Sequence, residues 1–100
     1  VSEPIPVSID PDLADLIPRY LESRREDVER ITAALASGGW DTIRRLGHSM
    51  RGMGASYGFQ RITDFGGAIE DAAPNQDRGA VEATLASLAD YLQRVEPTYD

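Results

Sequence analysis

Apolar residues return every three or four positions along most of this chain, and only a few glycine- and proline-rich stretches interrupt them. Val81, Leu85, Leu88, Leu92 and Val95 form the clearest run, a stripe down one face of a helix. A strand could not bury such a set, because its side chains alternate every second residue. The breakers cut the pattern into four segments. Asp10 followed by Pro11 is a helix start signal, and the first helix is predicted from Pro11 to about Ser37, with Leu13, Ile17, Leu21, Val28, Ile31 and Leu35 inward. Pro18 either kinks that helix or divides it. "SGG" at 37–39 ends it. The second helix is predicted from Trp40 to Gly58, carrying Ile43, Leu46, Met50, Met53 and Tyr57, and the third from Gln60 to Ala73, with Ile62, Phe65 and Ile69 in phase. "APNQD" at 73–77 is a breaker, and Asp77 is placed to cap the fourth helix.

Four amphipathic helices with short connections predict an all-α fold, an antiparallel up-down-up-down four-helix bundle. The opening "VSEPIPVSIDP" carries three prolines and no helical period, so residues 1–9 are read as an N-terminal arm or linker and 10–100 as the bundle domain. No strand with persistent alternation is read. The start at Val1 suggests a processed or excised segment. At 100 residues the chain can bury one modest core. It has no cysteine, which excludes disulfides and thiolate chemistry and fits a reducing compartment, so a cytoplasmic location is expected. No apolar run approaches the roughly 18 residues of a membrane span, so no membrane association is expected. A net charge of −7 argues against non-specific nucleic-acid binding, which needs cationic patches to displace counterions.

The stretch "GHSMRGMGASYGF" at 47–59 holds the single histidine and four of the nine glycines. On a helix, His48 falls on the side away from the apolar stripe and projects into solvent. Arg44, Arg45, Arg51, Gly52 and Ala55 surround it and form a candidate docking surface. Gly52, one turn on, removes a side chain that would crowd the imidazole. Gly54 faces inward, where it suits close approach of another helix, and Gly58 suits a helix terminus. One histidine without cysteine cannot form the usual zinc sets, so no metal site is read. Ser49 points away from His48, and no nucleophile elbow occurs, which leaves a hydrolase triad unsupported. An imidazole among guanidinium groups remains, an arrangement suited to holding a phosphoryl group.

"HSMRG" followed by "MGASYGF" resembles the motif of histidine-containing phosphotransfer (HPt) domains, His-x-x-Lys-Gly with a second glycine six residues further on. His48, Arg51, Gly52 and Gly58 take those four places, and the resemblance runs from about Asp10 to Val95. It implies a four-helix bundle with an exposed histidine, acting as a phosphorelay carrier. His48 would accept a phosphoryl group on Nε2 from a receiver's aspartyl phosphate, or from ATP through a separate kinase domain, and pass it to another receiver's aspartate. Arg51 stands where the family usually has lysine and would stabilise the phosphoryl group.

Twenty-two residues after the histidine, where many members have glutamine, this chain has Glu70, as do the phosphotransfer domains of chemotaxis-type histidine kinases. The resemblance implies that Glu70 accepts from Nδ1–H and leaves Nε2 free. The implied partners are response-regulator receiver domains and a histidine kinase or hybrid kinase. Mg2+ is expected on the receiver, with no cofactor bound by this chain. No glycine-rich nucleotide loop occurs, so the chain reads as a phosphoryl carrier, not a complete kinase. Two alternatives stay open: a helical-bundle adaptor that is never phosphorylated, and the phosphotransfer domain of a chemotaxis-like kinase.

Overall fold

Caps and left-handed glycines set where the helices begin and end. The computed structural model describes residues 3–100 and contains four helices: α1 (Ile17–Ser37), α2 (Trp40–Met53), α3 (Gln60–Ala72) and α4 (Arg78–Arg94). A short strand, β1 (Ile5–Ile9), precedes them and a second, β2 (Val95–Tyr99), follows. Asp10 Oδ1 accepts from the Asp12 N–H at 2.9 Å, and Asp77 Oδ1 accepts from the Ala80 N–H at 3.1 Å. Gly38 (φ 72°) closes α1 in the left-handed conformation that costs glycine least. Pro18 divides the first predicted helix. Pro11–Leu13 is an isolated 3-10 turn, and α1 starts afresh with Pro18 in its first turn, where a missing N–H breaks no helical bond.

α2 is shorter than the predicted span to Gly58. It ends at Met53 and is followed by a 3-10 turn, Ala55–Tyr57, that Gly58 (φ 97°) closes. The physical reason is tertiary: the Ala55 N–H donates to Thr63 Oγ1 on α3 at 2.7 Å, and the Tyr57 and Phe59 N–H groups both turn back to the Gly54 carbonyl. Met53, predicted to face inward, therefore stands 43% exposed at the helix end. α3 stops one residue early, and Ala73–Asn75 forms a further 3-10 turn.

The predicted stripes otherwise build the core. Ile17, Leu21, Ile31 and Leu35 meet Ile43 and Met50, Ile62 and Ile69, and Val81, Leu85, Leu88 and Leu92, while Leu13, Val28, Leu46, Phe65 and Tyr57 pack half-buried at its margin. Periodicity hides one member. Asp27 is buried in α1, 2.9 Å from Arg24 Nε, and Arg24 lies over the Tyr20 ring at 4.7 Å. Tyr20 stacks on Tyr57 at 4.2 Å, so this polar cluster ties α1 to the turn after α2. Burial pushes the Asp27 carboxyl up against the opposing pull of Arg24.

The N-terminal segment is not a free arm. β1 pairs in parallel with β2, from Ile5↔Val95 to Ile9↔Tyr99, and the whole helical bundle serves as the crossover. Ile9 is buried, and the Arg94 guanidinium donates to the Glu3 carbonyl at 2.8 Å. Pro6 and Pro97 are tolerated because each strand of a two-stranded ribbon keeps one unpaired edge. The fold is thus mostly helical with a ribbon added. Residues 1 and 2 of the predicted arm lie outside the described residues.

The backbones of α2 and α3 touch. A Cβ on Gly47 would stand 2.7 Å from the Glu70 nitrogen and 2.9 Å from the Gly66 carbonyl oxygen. One on Gly66 would stand 2.7 Å from the Gly47 carbonyl oxygen and would collide with the Arg51 nitrogen. Gly54 makes the close approach predicted for it, with Thr63 N 2.5 Å from where its Cβ would be. Around Gly52, by contrast, no atom among the described residues lies within 4 Å of such a Cβ. The same substitution should therefore have opposite effects at the two kinds of site. In urea unfolding, Gly66→Ala is expected to lose about 1–3 kcal/mol through overpacking against backbone. Gly52→Ala is expected to gain up to about 1 kcal/mol of helix propensity.

Candidate functional site

Gly47 immediately precedes His48, and the backbone atom of α3 nearest to it belongs to Glu70. Close helix approach therefore delivers the Glu70 side chain to the imidazole. Glu70 Oε2 lies 2.7 Å from His48 Nδ1, and Oε1 accepts from Arg51 Nη1 at 3.0 Å. Each carboxylate oxygen thus has its own partner. An ionised carboxylate only accepts hydrogen bonds, so this contact requires the proton on Nδ1 and leaves the lone pair of a neutral ring on Nε2. Nε2 has no hydrogen-bond partner among the described residues, and the His48 side chain is 71% exposed.

Glu70 is the sheltered member, its side chain 17% exposed against 56% for Arg51. The Arg51 hydrogen bond, with smaller help from His48, holds the Glu70 carboxyl below the usual carboxylate range, against some loss of hydration. A depressed carboxyl keeps its contacts at neutral pH and loses them only as pH falls through its own lowered midpoint.

The other predicted residues divide. Arg44 and Arg45 are exposed on α2, but their guanidinium groups turn back to Asp41, at 3.3 and 2.7 Å, and not towards the histidine. Asp41 was not read as part of this surface, although its spacing of three and four from the arginines signals the pairing. Gly52 is exposed beside His48. Ala55 is exposed in the 3-10 turn beyond the end of α2, not on the helix itself. The structure brings together His48, Arg51 and Glu70, and sets Arg44 and Arg45 aside with Asp41.

Sequence reasoning missed Gly47 and Gly66, which bring the two helices together. The spacing of Gly47 in α2 and Gly54 at its C-terminal cap, seven residues and two turns apart on one side, was the available signal. It also missed a shallow groove between α1 and the end of α2, lined by Leu16, Tyr20, Met53 and Tyr57. Leu16 and Met53 are two of the few large apolar side chains exposed among the described residues. Also among those residues, no three or more His, Cys, Asp or Glu side chains gather as a metal site, and no helix is long and apolar enough to cross a membrane.

The fold and site define a class: a helical bundle that presents one histidine on its surface, with a carboxylate of the neighbouring helix on Nδ1. A family model described as Hpt domain matches residues 15–98, and the chain belongs to that family, the phosphotransfer domains of two-component signalling. β1 lies ahead of the matched residues. No curated protein and no solved structure matches the chain.

Because Arg51 is the largest cause of the depressed Glu70 carboxyl, Arg51→Gln is expected to move the Glu70 titration midpoint upward, towards the ordinary carboxylate value. Carbonyl 13C NMR of the two proteins checks this. An unmoved midpoint would contradict the assigned cause.

Proposed function

We propose that His48 is the phosphoacceptor of this domain and exchanges a phosphoryl group with aspartates of receiver domains. The observation that supports it is the contact of Glu70 with Nδ1, which leaves Nε2 as an exposed nucleophile. In the forward step the Nε2 lone pair attacks the phosphorus of a receiver's aspartyl phosphate. The N–P bond forms as the P–O bond to the aspartate breaks, and the carboxylate leaves with the electron pair. Nδ1 keeps its proton, so the phosphorylated ring carries positive charge beside the Glu70 carboxylate. Reversal passes the group to another receiver, with the aspartate oxygen as nucleophile. A histidine kinase or hybrid kinase would load the same nitrogen from ATP in the domain's other role. Mg2+ belongs to the receiver's own carboxylates in this reading.

Docking is assigned to the exposed face around His48, where Gly52 leaves the approach open and Arg44, Arg45 and Ala55 flank it. The helices are read as running alternately up and down, since only Gly38 and Gly39 separate α1 from α2. A cytoplasmic location accords with such partners. The carboxylate at position 70 favours, as a second reading, the phosphotransfer domain of a chemotaxis-like kinase. An unphosphorylated adaptor would have no use for an oriented imidazole.

Incubation with a panel of phosphorylated receivers tests the proposal. Acid-labile, base-stable label is expected on the wild-type chain and none on His48→Gln, with helical content unchanged because the side chain is exposed. Label persisting on His48→Gln would remove His48 from the role. Gly52→Gln is expected to fold normally yet slow transfer by about tenfold or more, equivalent to at least about 1.4 kcal/mol of lost docking or transition-state energy. Equal rates would mean that the open position does not admit the partner.

A further inference from the structure

β1 lies ahead of the residues that match the family, yet it packs against the turn that follows the histidine helix. Ile9, its last residue, is 1% exposed, and its Cδ1 stands 2.7 Å from the place a Cβ on Gly58 would occupy. The Ser8 carbonyl oxygen stands 3.9 Å from the same point. Gly58 closes the turn Ala55–Tyr57, and Ala55 at its head flanks the face assigned above to docking. Resting on the phosphoacceptor reading, we infer that β1 is a strap and Ile9 a positioning residue. Together they hold the turn after α2, and so the face a receiver meets, without acting on the imidazole.

The local chemistry of the turn calls for such a contact. Glycine at position 58 permits the positive φ but offers no side chain to fix the turn in place. Apolar contact at that point comes instead from Ile9. Other elements fasten the rest of the turn: Thr63 Oγ1 of α3 accepts from the Ala55 N–H, and Tyr57 stacks on Tyr20 of α1. His48 is held differently. Its contact with Glu70 follows from the close approach of Gly47 and Gly66, where the nearest atoms on each side belong to the other of those two helices.

The ribbon is built both to hold and to let go. Five residue pairs join β1 to β2, and the Ser8 hydroxyl donates to Asp100 Oδ2 at 3.2 Å. A parallel pair is weaker per residue than an antiparallel one, and two strands alone have little stability of their own. The ribbon is kept in place by the apolar side chains it lays on the bundle, Ile9 fully and Ile5, Val7 and Val95 in part. Opening a small segment of this kind costs less than unfolding the bundle, so β1 can detach while the helices stay folded. Its free edges discourage a third strand, because Pro6 removes a donor from one and Pro97 from the other. The packed face of the ribbon, and not its edge, carries the role.

The test separates docking from chemistry. Phosphoramidate, a small donor that needs no docking surface, loads His48 directly, whereas a phosphorylated receiver that labels the wild-type chain loads it through docking. In Ile9→Ala, phosphoramidate loading is expected to stay within about twofold of wild type, while receiver transfer falls about fivefold or more, carried by KM. Ile9→Val removes only the Cδ1 beside Gly58; it is expected to show a smaller loss of the same kind, and it decides the matter if Ile9→Ala does not fold. Unchanged receiver transfer in the folded variants would overturn the strap and leave the phosphoacceptor reading standing. Phosphoramidate loading that falls as far as receiver transfer would also overturn it, since Ile9 would then act on the fold or on the imidazole. A wild-type chain that gains no phosphohistidine from either donor would overturn the phosphoacceptor reading, and the strap's role in docking with it.

Discussion

Two residues without side chains hold the site together. Gly47 on α2 and Gly66 on α3 let the helix backbones meet where any Cβ would strike the opposite helix. Interior glycine costs a helix about 1 kcal/mol relative to alanine, so both helices give up stability for that contact. What the contact provides is reach. Glu70 lies one turn beyond Gly66, and its carboxylate arrives at His48 Nδ1 only because the α3 backbone passes against Gly47. Set the helices a side chain further apart, and Glu70 becomes a solvated charge. The histidine's own position on the solvent side of α2 follows separately, from the apolar stripe that turns Ile43 and Met50 into the core.

Electrostatics around this contact is local. A chain of net charge −7 presents its arginines beside the histidine, yet each is compensated by a carboxylate within a turn or across the helix pair. Exposed pairs of that kind contribute little to stability. Their effect on the site is of another sort: Asp41 draws Arg44 and Arg45 away from the imidazole, and Glu70 holds Arg51 beside it. The surface around His48 is therefore less cationic than a count of arginines suggests. Beside the histidine, Gly52 leaves open space where a side chain would otherwise stand.

Much of the bundle was legible in the sequence because its determinants are local. Periodicity gave the stripes, Asp10 and Asp77 marked helix starts, and Gly38 and Gly58 marked left-handed ends. What was not legible depends on partners distant in the chain. The ribbon pairs residues 5–9 with residues 95–99, and its prolines masked an alternation whose partner strand lay at the other end. The end of α2 is set by Thr63, on another helix, through a bond that periodicity cannot show. Met53 was misplaced for that reason. Asp27 looked like one more charge on α1, because burial beside Arg24 and Tyr20 is a property of packing. At the site, the outward direction of His48 was readable from the stripe alone. The nearness of Glu70 was suggested only by resemblance, and the Arg51–Glu70 pair by nothing local.

If close glycine packing places a carboxylate on Nδ1, the neutral imidazole of His48 must sit in the Nδ1–H tautomer, whereas free histidine in water favours Nε2–H. Long-range 1H–15N correlation NMR of the single histidine, at a pH where the ring is neutral, distinguishes the two directly. The expected spectrum shows a protonated-type Nδ1 and a lone-pair-type Nε2 in the wild-type chain, reverting towards the Nε2–H form in Gly66→Ala as the helices move apart. A wild-type ring already in the Nε2–H form would contradict the account, because the nitrogen assigned to accept the phosphoryl group would then carry a proton.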